Sequence, residues 1–100
     1  MKLKKIGLSE AEVVEIWEDE SLGINKRGNT TVDFISVWRC VESEYKIGDK
    51  YDWGTKLITY DGYEIIVEES YKDCEAFRRE MKNEYIKSQA ILIGLNQSKE

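Results

Sequence analysis

Histidine and proline are absent from the 100 residues, and cysteine occurs only at Cys40 and Cys74. Without histidine there is no Ser-His or Cys-His nucleophile system, no HExxH metal site and no ordinary acid–base group for neutral pH. Two separated thiols and no imidazole leave structural zinc without its ligands. No apolar run approaches the ~18 residues of a membrane span, and no apolar stretch of a signal peptide follows the lysines of residues 1–6. The expectation is a cytosolic chain with two reduced, buried thiols. Glycines stand singly at 7, 23, 28, 48, 54, 62 and 94, so neither GxxxxGK[ST] nor GxGxxG occurs. These absences predict a non-enzymatic protein without a cofactor. Carboxylate chemistry alone stays open to it, through pairs such as Asp49 with Asp52 or Glu68 with Glu69.

What is present is a single small domain over residues 1–100, with a polar tail from about 95. Its 20 acidic against 15 basic residues leave a net charge of −5, which argues against a basic nucleic-acid footprint. Ser9 and Glu12 have the spacing of a capping box, and Leu8 and Val13 that of a hydrophobic staple. They predict an N-terminal helix with Val13, Ile16 and Trp17 on its apolar face and Gly23 as a left-handed cap. That helix would carry Glu10, Glu12, Glu15, Glu18, Asp19 and Glu20, about one carboxylate per ~3 Å at the ~1.5 Å rise of a helix. The spacing is near that of charges along a DNA strand. Its last three acids would sit at the negative end of the helix dipole, where they cost stability.

Residues 30–42 are rich in β-branched and aromatic side chains and read as a strand. Residues 55–70 read as a hairpin turning at Asp61-Gly62, the pair favoured in a two-residue type I′ loop. Gly48-Asp49 marks a further turn, and Trp53-Gly54 a bulge. From Ser70 or Asp73 onward, Cys74, Phe77, Met81, Tyr85, Ser88 and Leu92 recur three and four apart, the stripe of an amphipathic helix. The expected fold is α+β: an N-terminal helix, a three-stranded antiparallel sheet (30–42, 51–60 and 63–69) and a long C-terminal helix packed on it. The alternative is ααββα with residues 31–46 helical.

Two surfaces stand out as candidate partner sites. One is the acidic helix, with Glu12, Glu15, Glu18 and Asp19 facing a basic partner. The other is the hairpin, with Trp53, Leu57, Tyr60, Tyr63 and Ile66. A two-residue loop would pair Ile58 with Ile65 on the core face and Leu57 with Ile66 on a face that needs cover. The function expected is therefore a protein-binding module that blocks the basic, nucleic-acid-binding surface of another protein. A structural domain that self-associates through its sheet face or C-terminal helix is the alternative. The composition, rich in Lys, Glu, Ile and Tyr, resembles that of accessory proteins of phages and mobile elements, some of which inhibit host nucleases.

Overall fold

A computed structural model describes residues 3–98, with side chains through residue 84. The chain runs β1 (Lys4–Lys5), β2 (Glu10–Asp19), β3 (Ile24–Asp33), a 3-10 turn (Phe34–Ser36), β4 (Val37–Ile47), β5 (Lys50–Thr59), β6 (Glu64–Val67) and α1 (Tyr71–Ser98). All strand pairs are antiparallel. The sheet runs β1-β2-β6-β5-β4, with β3 on the other edge of β2. The alternative with residues 31–46 helical is likewise set aside, apart from the one short 3-10 turn.

The N-terminal helix does not form. Residues 10–19 are instead a strand, paired with β3 along its whole length from Glu10↔Asp33 to Asp19↔Ile24. Ser9 does not cap a helix; its Oγ donates to Asp33 Oδ1 at 2.6 Å. Val13, Val14 and Ile16 are stiff at χ1 and gain little from a helix, while alternation buries Ala11 and Val13 against the core. An N-terminal cap contributes only ~1 kcal/mol, which a full ladder and a buried face outweigh. Gly23 does adopt the left-handed conformation, with φ 64°. It does so in the β2–β3 hairpin loop, where its N–H donates to Asp19 O at 2.8 Å.

The sheet is six-stranded rather than three-stranded. The strand expected over 30–42 is divided by the 3-10 turn, which Asp33 caps by accepting from Ile35 N at 3.2 Å. The ladder irregularity lies at Val37/Arg39, not at Trp53-Gly54, where Ser43↔Gly54 and Glu44↔Trp53 pair regularly.

The β5–β6 hairpin forms, but one residue out of the expected register. Thr59 N donates to Tyr63 O at 2.9 Å and Gly62 N to Thr59 O at 3.0 Å, closing a three-residue loop of Tyr60, Asp61 and Gly62. Gly62 alone there has positive φ, at 90°, so the type I′ turn is replaced by the longer loop with a left-handed glycine. Leu57 consequently pairs with Ile65, and Lys56 with Ile66. A one-residue slip exchanges the faces of a strand, so Leu57 and Ile66 lie on opposite faces and form no common patch.

The C-terminal helix forms from its expected cap but runs past its expected end at or before Gly94. Ser70 Oγ accepts from Asp73 N at 3.2 Å, and Cys74, Phe77 and Met81 are buried on the sheet. They meet Ala11, Val13, Val32, Phe34, Val37, Cys40, Leu57 and Val67 in one core. The Phe34 and Phe77 rings meet edge to face, with centroids 4.9 Å apart. Each fully buried side chain of this kind contributes ~1.5–3 kcal/mol. The helix continues through Gly94 to Ser98; the side chains of the expected stripe from Tyr85 onward lie outside the described residues. Among the described residues no helix is long and apolar enough to cross a membrane.

Candidate functional site

On the face away from α1, the sheet has a second and smaller apolar floor. Strand alternation and register place Ile16, Tyr45 and Ile66 together there. Ile16 and Tyr45 are buried although neither belongs to the core under the helix. Gly54 makes this packing possible. A Cβ at that position would overlap the Val67 carbonyl oxygen and stand 3.0 Å from Tyr45 Cε1. Burial, followed by the carboxylates of Glu68 and Asp52, pushes the Tyr45 phenol above its ordinary pKa.

The floor opens into a cleft of about 350 Å³ that Trp17 and Tyr51, which alternation sets on the helix side of the sheet, also line. Trp17 lies over Gly28, the one β3 position without a side chain; a Cβ there would stand 3.1 Å from the indole. Glu18, Asn25, Glu44 and Lys46 form the polar rim. Asn25 Nδ2 donates to Lys46 O at 2.9 Å, tying the start of β3 to the end of β4. Lys46 Nζ stands 5.4 Å from the Tyr51 ring centroid, within reach of a cation–π contact. A second cleft of about 520 Å³ continues past Glu18, Asn25 and Lys46 to Gly23 and Gly48 at the two hairpin tips. Among the described residues no ion pair engages Glu18 or Glu44.

Two further grooves hold less available chemistry. Between α1 and β4, Arg78 gives Glu75 two hydrogen bonds, at 2.6 and 3.0 Å, and reaches Trp38 O at 3.3 Å. Those bonds hold the Glu75 carboxyl below its usual pKa, so the groove's charges answer one another. The thiol beside it, Cys40, is pushed by burial up to about 11, and Cys74 up to about 12. Neither forms a disulfide, and both are buried; a thiolate nucleophile is out of reach at neutral pH. Next to the α1–β4 groove, Lys82 Nζ donates to Tyr60 OH at 2.6 Å beside a shallow groove lined by Trp38.

The four acids expected on one helix face are dispersed by the strand. Glu12 and Glu18 share the open face, ~20 Å apart at ~3.3 Å per residue, while Glu15 and Asp19 fall on the other. Asp19 pairs with Lys26 at 2.9 Å. The DNA-like charge spacing is thereby lost, and so is the unfavourable position of Glu18, Asp19 and Glu20 at a helix end. Of the hairpin residues, Leu57 is in the core, Ile66 is on the cleft floor, and Trp53, Tyr60 and Tyr63 are exposed at 61%, 62% and 72%. Glu68 pairs with Arg27 at 3.3 Å, and Glu69 accepts from Val14 N, so those adjacent carboxylates serve different neighbours. Sequence reasoning missed Ile16, Asn25, Tyr45, Lys46 and Tyr51 as one site. The available signal was the aromatic excess of the 45–63 region; what was lacking was the β2–β6 pairing that carries Ile16 to Ile66. No protein-family model, curated protein or solved structure matches the chain.

Proposed function

We propose that the chain is a non-enzymatic protein-binding module that grips its partner in the cleft between the β2–β3 and β4–β5 hairpin tips. The observation that carries this reading is the apolar floor of Ile16, Tyr45 and Ile66 on the face α1 leaves uncovered, in a cleft that Trp17 and Tyr51 also line. A partly desolvated aromatic pocket ringed by polar groups is the usual form of an interface hot spot. Glu18 and Glu44 on the rim favour a partner with basic groups. The compositional resemblance to phage and mobile-element accessory proteins makes a host protein the natural target.

Comparative affinity capture from bacterial lysate tests the site. A bait carrying Trp17→Ala and Ile66→Lys should recover the specific prey at least tenfold less well than the parent. A Tyr60→Ala/Tyr63→Ala bait, altered on the remote loop, should recover it unchanged. Thermal melts of both baits establish that they are folded. Equal recovery by a folded cleft variant removes the cleft as the binding site.

A further inference from the structure

We infer that the partner docks as an extended, basic strand in the open seam between β3 and β4, a mode that rests on the cleft reading above. The two strands end the sheet, and each is hydrogen-bonded along one edge only. They span ten and eleven residues. At one end the 3-10 turn joins them; at the other the Asn25 side chain bonds to Lys46 O at 2.9 Å. Between those points no β3–β4 ladder forms among the described residues. The seam is thus bounded at both ends and unpaired between them.

The Lys46 carbonyl points into this seam, because it is the group that Asn25 meets. In an antiparallel strand alternate residues direct their main-chain groups to the same side, so those of Glu44 and Glu42 point there too. An added strand would pair these groups, the main chain supplying affinity and alternate side chains supplying specificity. The Ile16–Tyr45–Ile66 floor is a ready pocket for one apolar side chain of such a strand.

Charge selects the strand's other residues. Edge strands ordinarily carry charges that repel added strands. Here the two cations of β3 are already answered within the sheet, Lys26 by Asp19 at 2.9 Å and Arg27 by Glu68 at 3.3 Å. Glu42, Glu44 and Glu18 have no ion pair among the described residues. These three carboxylates outnumber the two β4 cations that have no ion pair among the described residues, Arg39 and Lys46, and a strand alternating lysine or arginine with apolar residues complements the excess.

The probe is a capped octapeptide of alternating lysine and valine, titrated into the full chain by NMR and by fluorescence anisotropy. Saturable binding is expected, with added hydrogen-exchange protection at the Glu42, Glu44 and Lys46 amides. N-methylation of alternate backbone amides should weaken it at least tenfold while leaving every side chain in place. Glu18→Gln with Glu44→Gln should weaken it about threefold at low salt, an effect that added salt removes. Binding of the N-methylated peptide as tightly as the parent overturns strand addition, as does the absence of saturable binding at millimolar peptide. A dimer in solution that the peptide dissociates would give the seam to a second copy and overturn it as well. Lost capture by the Trp17→Ala/Ile66→Lys bait together with full binding of the N-methylated peptide sinks only the docking mode. Retained capture by that bait sinks the cleft reading itself.

Discussion

Under α1 the sheet presents Val13, Val37, Leu57 and Val67 at 0–1% exposure, whereas across the sheet Ile16 and Tyr45 are buried and Ile66 only half-buried. The covered face holds a single large cluster whose polar intruders are satisfied: Thr55 Oγ1 donates to Glu69 O at 2.7 Å. The open face is small, interrupted by Arg27–Glu68 and by Lys56–Glu64 at 3.9 Å. Such exposed pairs contribute ~0–1 kcal/mol. The contrast teaches that the two faces of one sheet are built differently. The helix side holds the large core, and the other side keeps a smaller apolar floor with Ile66 half-exposed.

The largest break in that contrast comes from the core. Phe34→Ala should lower unfolding free energy by ~3–5 kcal/mol, measured by urea denaturation, since the ring is fully buried and edge-on to Phe77. On the open face, Ile66→Ala should cost no more than about half of that, because a half-buried side chain leaves little cavity. Equal losses would mean that both faces stabilise the fold alike.

Gly54→Ala joins the two faces. Its methyl group must displace the β6 backbone at the Val67 carbonyl and crowds the Tyr45 ring as well, and overpacking of this kind costs ~1–3 kcal/mol. Tyr45 ring resonances should shift together with those of Ile16 and Ile66 in the same NMR spectrum. A loss of stability with the cleft resonances unmoved would place the strain on the helix side alone.

Glu69 sharpens the comparison through pH. Burial raises its carboxyl pKa above the ordinary 4.5 despite the two bonds from Val14 N. The folded state therefore binds this proton more tightly than the unfolded state. Glu69 weakens the fold at neutral pH, and the penalty is relieved as pH falls through the folded pKa toward 4.5. Wild type measured against Glu69→Gln should gain relative stability between neutral pH and about 4.5 and stay level below it. Glu75 behaves oppositely: held low by Arg78, its contribution is present above the unfolded value and lost on acidification.

The smallest effects belong to the exposed aromatics. Trp53→Ala and Tyr63→Ala should each stay within ~0.5 kcal/mol of the parent, as chemical denaturation would register. A larger loss would show that these side chains belong to the fold.

Legibility followed the range of the interactions. The C-terminal helix was readable because its cap, Ser70, and its stripe, Cys74–Phe77–Met81, lie within a few turns of one another. The Gly48-Asp49 turn was equally local, and Ile47 pairs with Lys50 across it. Asp61-Gly62 marked the place of a turn but not its length, and that one residue decided which face Leu57 joined. At residues 9–20 a sound capping signal competed with β-branched residues, and the winner was set by a partner strand that ends at Asp33. The cleft was least readable, since Ile16, Tyr45 and Ile66 meet only after three separate strand pairings.

By itself the sequence determined the absence of imidazole chemistry, the C-terminal helix and the positions of most turns. All of these depend on residue type or on neighbours a few positions apart. Tertiary structure alone decided that residues 10–19 are a strand, that Leu57 and Ile66 part company, and that an apolar floor remains on the open face. Each of those depends on long-range backbone pairing, in which a ladder and a buried face outweigh the ~1 kcal/mol preferences that local sequence can express.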